Sequence, residues 1–105
     1  MRTVEFRRLL DAENALRIRF ELEHGKVLTF VVQLECLFDY NWFPVMRYDT
    51  AHNFVHCDQL HPYKATVKTT LSVQDYNEAL TFAIQDLSKR WNEYRRRYET
   101  WLTER

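Results

Sequence analysis

The chain has 105 residues, 46% of them hydrophobic and 29% charged, with 15 Lys or Arg balanced by 15 Asp or Glu. That is enough for one hydrophobic core and not for two, and the sixteen aromatic residues supply ample surface to bury, which argues against a disordered chain. No run of about 18 apolar residues offers a membrane span, and the single glycine, Gly25, excludes a P-loop or a dinucleotide-binding fingerprint.

The balanced charge is unevenly spread. Residues 27–88 carry three basic and seven acidic groups, whereas residues 89–105 carry six basic and three acidic groups. The basic end, with Lys89, Arg90, Arg95, Arg96 and Arg97, suits phosphates or an acidic partner. The competing reading is a solvated helix end whose cations complement the helix dipole. The start, Met1-Arg2-Thr3-Val4-Glu5-Phe6-Arg7-Arg8, has recurring charges and no apolar stretch, so no secretory signal is expected. Cys36 and Cys57 lie far apart and form no Cys-x-x-Cys pair, so they read as reduced thiols of a cytoplasmic protein.

Residues 4–10 fit a first strand, with Val4 and Phe6 alternating against Glu5 and Arg7, or else a short helix. Residues 16–22 alternate cleanly, Leu16, Ile18, Phe20 and Leu22 against Arg17, Arg19 and Glu21, which is the pattern of a half-buried strand. His24-Gly25-Lys26 supplies a turn. Residues 27–38 follow as a central strand whose even positions, from Leu28 to Phe38, are all apolar. After a turn at Asp39-Tyr40-Asn41, residues 42–48 read as a strand carrying Pro44 near its start. Residues 50–53 break the pattern, residues 54–60 form another strand, His61-Pro62 turns, and residues 63–71 alternate again.

Ser72 with Asp75 resembles a capping box, and from Val73 apolar residues recur at three and four to Leu102. A helix over about 73–103 would run roughly 45 Å, longer than a domain of this size is wide. Its last turns, with Trp91, Tyr94, Tyr98 and Trp101, are too apolar to leave in water. The expectation is that they pack on a second copy or a partner helix, the alternative being a break near residue 90. The predicted fold is one α+β domain over residues 1–105: an antiparallel meander of five or six strands with one long C-terminal helix packed on one face. Its core is expected to hold Leu16, Ile18, Phe20, Leu28, Phe30, Val32, Leu34, Leu80, Ile84 and Leu87.

Three of the four histidines and two carboxylates fall between residues 49 and 61. One reading is a metal site from His52, His56 and His61 with Asp49 or Asp58, though Asn53-Phe54-Val55 is poor helix sequence for aligning His52 with His56. The second is metal-independent acid–base chemistry, in which imidazoles move protons and Arg47 offsets developing negative charge. The third is purely structural, with Asp49 capping the loop and Arg47 in an ion pair. A nucleophilic Cys57 is disfavoured, because His56 and Cys57 are adjacent on a strand and point to opposite faces. Strand register decides the second reading. A hairpin pairing Arg47 with His56 puts Arg47, Asp49, His56 and Asp58 on one face, with His52 in the loop at its end; a one-residue slip splits the set.

The stretch Val45-Met46-Arg47-Tyr48-Asp49-Thr50-Ala51-His52-Asn53-Phe54-Val55-His56-Cys57-Asp58-Gln59-Leu60-His61-Pro62 resembles a family of small prokaryotic proteins that share an Arg-Tyr-Asp-Thr-Ala-His motif followed by His-x-Asp-x-x-His-Pro. More distantly, Arg47-Tyr48-Asp49 with a following histidine and then a second one is similar to the TumE-like toxins of toxin–antitoxin modules, which show Arg-Tyr-Asp-Asn-x-x-His-His; here Thr50 replaces their Asn and His52 is single. The matching positions are Arg47, Tyr48, Asp49, His52 and His56. The resemblance implies a toxin-like or nuclease-like role on RNA, with an antitoxin or other protein partner. The expected catalytic set is His52 and His56 as acid and base, Asp49 or Asp58 as orienter, and Arg47 for phosphate. Tyr48 and the basic helix end would bind RNA or a partner. No metal, other cofactor or membrane enters this reading. The alternative is a non-enzymatic interaction module that dimerises or binds a partner through its C-terminal helix.

Overall fold

Six strands and one long helix follow in chain order in the computed structural model, which describes residues 1–104: β1 (Arg2–Asp11), β2 (Asn14–Glu23), β3 (Lys26–Phe38), β4 (Asn41–Asp49), β5 (Val55–Gln59), β6 (Val67–Leu71) and α1 (Tyr76–Thr103). The strands form one antiparallel meander in the order β1-β2-β3-β4-β5-β6, so the fold is the α+β meander the alternation predicts. The first segment is a strand and not a helix, since Phe6 pairs with Ile18 and Val4 with Phe20 in an unbroken ladder. Between β4 and β5 the chain makes a short 3-10 turn, Ala51–Asn53, in which His52 takes a left-handed φ of 60°.

Hairpin turns set the register. His24 and Gly25 both have positive φ, 50° and 76°, which is the twist that joins two strands through two residues. Asp39 and Tyr40 make the next two-residue turn with φ of 49° and 68° and no glycine to relieve it. Ladder pairs then place Leu16, Ile18, Phe30, Val32, Leu34 and Cys36 on one face, all buried against α1. Leu28, expected in the core, is 39% exposed. Pairing jumps from Glu21↔Thr29 to Leu22↔Val27, so Leu28 bulges out of the ladder and Val27 takes the buried place. Phe20 and Ile84 are half-buried at the margin of the same core.

The helix begins later than the Ser72 signal suggests. Asp75 is the N-cap, its carboxylate accepting from the Asn77 and Glu78 amides at 2.9 and 3.2 Å. Likewise β6 starts at Val67 and not at residue 63, because the Tyr63 and Lys64 amides are turned inward to donate to His61 Nδ1. Packing is chiefly on β3, then β4 and β2. No helix among the described residues is long and apolar enough to cross a membrane.

The 28-residue helix runs unbroken, about 42 Å at 1.5 Å per residue, and the molecule is 46 Å along its longest axis. Part of its terminal aromatic surface is covered by this chain's own residues. Tyr94 and Tyr98 are buried, Tyr98 stacks on Phe38 at 5.7 Å and Trp101 stacks on His61 at 4.4 Å. The loop after β5 and the β3–β4 turn reach up to the helix end and supply this cover, while Trp91 and Trp101 stay half-buried at its margin.

Candidate functional site: the open face of the sheet

The face opposite α1 carries the polar half of every strand. Successive cross-strand pairs run Arg7↔Arg17, Arg17↔Gln33, Gln33↔Arg47, Arg47↔Asp58 and Asp58↔Lys68, so one row crosses all six strands. Hydrogen bonds and ion pairs run along it. Arg47 Nε donates to Gln33 Oε1 at 2.9 Å, and Gln33 Nε2 donates to Glu35 Oε2 at 2.9 Å. Glu35 also receives Arg17 Nε at 3.1 Å and faces Arg7 Nε at 3.5 Å. At the other end Asp58, 1% exposed, lies 3.6 Å from Arg47 Nη1 and accepts from Lys68 Nζ at 3.2 Å. Two carboxylates thus stand among four cations, and Trp42 closes one end under the Arg7 guanidinium at 4.3 Å.

The register that the sequence left open pairs Arg47 with Asp58 and Asp49 with His56, and not Arg47 with His56. The offset is two residues, and two residues preserve the side-chain parity of a strand. Arg47, Asp49, His56 and Asp58 consequently share the open face, with His52 exposed in the turn at its end. Ala51 ties this end together. Its amide donates to Asp49 Oδ1 at 3.3 Å, and its carbonyl lies 3.0 Å from His56 Nε2. A carbonyl only accepts, so Nε2 holds the proton and, in the neutral ring, Nδ1 is the acceptor. Thr50, buried beneath the turn, anchors it to β3 by accepting from the Phe30 amide at 3.0 Å.

Other expected site residues fall elsewhere. Tyr48 is buried on the helix face, because it alternates with Arg47 and Asp49 along β4. Its hydroxyl donates to Asp86 Oδ2 at 2.7 Å, and Tyr94 donates to the same oxygen at 2.7 Å. Burial, and then the bond to Asp86, pushes both phenols well above the ordinary tyrosine range. Arg95 is also structural. It donates to the Leu37 carbonyl at 3.0 Å and to Asn14 Oδ1 at 2.8 Å, and it lies over the Phe38 ring. Arg97 packs over Tyr94 and Trp101, and Arg90 is paired with Asp86 and Glu93. Of the basic cluster, Lys89 and Arg96 are exposed and form no ion pair among the described residues.

His61 is stacked on Trp101 and accepts two backbone amides, away from the His52 turn. No three His, Cys, Asp or Glu side chains converge among the described residues. Cys57 faces the helix side opposite Tyr48, half-buried, and burial raises its thiol above the ordinary value. Burial of this kind disfavours the thiolate that a nucleophile needs.

Residues 1–104 match a family described as a domain of unknown function, DUF7718. The chain belongs to that family. No curated protein and no solved structure matches it. For a DUF7718 chain, the polar row was partly readable in advance, since Gln33, Glu35 and Lys68 fall at the polar positions of alternating strands. The part played by Asp86 was not, because a carboxylate on a helix gives no sign of which strand tyrosine will reach it.

Proposed function

We propose that this domain is a toxin-like protein that binds RNA on the open face of its sheet and cleaves it by acid–base chemistry without a metal. The observation that carries the reading is the β4–β5 register, which leaves Arg47, Asp49, His56 and Asp58 on one uncovered face beside His52. Arg47 and Lys68 outnumber the single carboxylate of Asp58 between them and leave a positive charge for a phosphate. His56, with Nδ1 as acceptor, takes the proton of a ribose 2′-hydroxyl. The freed oxygen attacks phosphorus, the bond from phosphorus to the 5′-oxygen breaks, and protonated His52 delivers a proton to that oxygen. The products are a 2′,3′-cyclic phosphate and a 5′-hydroxyl. Asp49 acts as a positioning residue, since it accepts from the backbone N–H of Ala51, the residue whose carbonyl orients His56. Asp58 fixes Arg47 and Lys68.

An RNA substrate and reduced thiols fit a cytoplasmic protein, and a toxin-like activity calls for an antitoxin partner that covers the same face. The test is incubation of micromolar protein with a defined RNA, with EDTA and with added divalent metal. The expected result is fragments ending in cyclic phosphate in both conditions, falling by roughly a hundredfold or more in His56→Ala, whose fold is checked by circular dichroism. RNA left intact in both conditions overturns the reading, as does cleavage unchanged in a His52→Ala/His56→Ala double variant.

A further inference from the structure

The two edges of the sheet differ in kind. β6 is five residues long, whereas β1 is ten, runs in register with β2 from Arg2 to Leu9, and contains neither proline nor glycine. Eight of its residues are exposed, among them Phe6 at 38% and Leu9 at 61%. A long edge presents a row of unpaired amides and carbonyls, which proteins ordinarily blunt by proline, a bulge, charged side chains or a covering element. β1 shifts register only at its end, between Leu9 and Asp11, and its five charges are of both signs, so that they can pair with one another as well as repel. α1 packs over β3, β4 and β2 and leaves β1 as the margin.

We propose that two copies of this chain join through β1, edge to edge and antiparallel, so that their two six-stranded sheets become one. Symmetry restricts the pairing severely. An antiparallel edge pair of identical strands requires a two-fold axis perpendicular to the sheet, which keeps both helices on one side. Facing residues must then belong to the same face of the sheet, so paired numbers add to an even total.

Three such registers lie near the strand centre, and charge separates them. Centring on Glu5 sets Glu5 against its own copy and Arg2 against Arg8. Centring on Arg7 sets two arginines opposite each other. Centring on Phe6 sets Glu5 against the second copy's arginine at position 7 twice over, on the open face, where each pair would join the contacts that Arg7 already makes with Glu35 and Glu5 with Arg19. The same register places the two Phe6 rings side by side on the helix face, with Val4 against the aliphatic stem of Arg8, and sets Thr3 against Leu9 on the open face. Opposite charges directly across a ladder stabilise it and like charges destabilise it, so β1 complements itself in this register alone of the three. The self-complementarity is the reason the occupant is a second copy of this chain and not an unrelated strand.

The experiment measures mass by light scattering on the full chain up to roughly 100 µM, where a functional dimer is populated. It is combined with oxidative cross-linking of single-cysteine variants. Residues directly opposed in an antiparallel pair lie about 4.5–5.5 Å apart at Cα, within disulfide range. Phe6→Cys should therefore form a covalent dimer, with the wild-type chain as the control for Cys36 and Cys57. Val4→Cys sits roughly 13 Å from its own copy in this register and should not cross-link. Glu5→Arg should weaken the dimer roughly tenfold, and Glu5→Arg/Arg7→Glu should restore it, each variant first shown to be folded by circular dichroism. A monomer throughout the concentration range overturns the proposal. So does a dimer indifferent to Glu5→Arg, or one that cross-links through Val4→Cys as fast as through Phe6→Cys. The cysteine pair decides the register even if the charge variants fail to fold.

Discussion

Arg47 stands directly opposite Asp58 across the β4–β5 pair, with its Nη1 3.6 Å from Asp58 Oδ2. The arginine is 30% exposed and the carboxylate 1%, so the partners differ in their hold on water. A buried carboxylate is tolerated only with cations and donors around it, and Lys68 supplies the second cation at 3.2 Å. The relationship makes Asp58 the pin of the open face.

Asp58→Ala is expected to lower stability by about 2 kcal/mol, as two cations lose a common partner and a buried space opens. Lys68→Ala, which removes a side chain 66% exposed, should cost less than about 1 kcal/mol. Urea denaturation of the two variants side by side checks the ordering, and equal losses would show that Asp58 is not held as described.

Tyr48 and Tyr94 share one oxygen of Asp86, each at 2.7 Å. Tyr48→Phe should cost about 1–2 kcal/mol, the loss of a hydrogen bond to a carboxylate shielded from water. Tyr48→Phe/Tyr94→Phe should cost more than the sum of the single changes, since Asp86 then keeps only Arg90 among the partners named here. The same Tyr48→Phe change should leave RNA cleavage intact, because the ring lies on the other face of the sheet.

Stability should fall on the alkaline side. Burial pushes the Cys36 thiol from an ordinary 9.0 up to about 12, and it raises Tyr48 and Tyr94 above their ordinary 10.0. Above pH 9 the unfolded chain releases protons that the folded chain retains, so unfolding gains with each step in pH. The stabilisation is complete below pH 9 and is lost progressively as pH rises toward the folded values. Denaturation midpoints at pH 8, 10 and 11 measure the slope, and Cys36→Ala should flatten the portion between pH 9 and about 12.

The two hairpin turns make opposite forecasts. Gly25→Ala places a side chain at φ +76° with nothing within 4 Å to clash, so its cost is the backbone alone, about 1 kcal/mol. Tyr40, at φ 68° and 98% exposed, already bears that strain without a contact to offset it. Tyr40→Gly should raise stability by about 0.5 kcal/mol, the left-handed strain removed less the extra chain entropy of glycine. Thermal melts of both variants read the signs.

Alternation by itself determined the meander, the helix and most of the core, because a period of two or of three and four reports directly which side chains must leave water. The composition also marked residues 49–61 as the crowded segment, and left the face shared by Arg47, Asp49, His56 and Asp58 dependent on register. Only the tertiary structure decided that. The two-residue turns at Gly25 and Tyr40 were legible, but the β4–β5 pairing is joined by an irregular turn and the sheet carries bulges such as the one that expels Leu28, and these leave no local pattern in the chain. The long helix tells the same story. Its aromatics announced a need for cover, but whether Phe38 and His61 or a second molecule would cover Tyr98 and Trp101 depended on contacts between residues far apart in sequence. Arg95 and Arg97 likewise look like free cations in the sequence, and become internal ties only because α1 lies across the carbonyls and rings of distant strands.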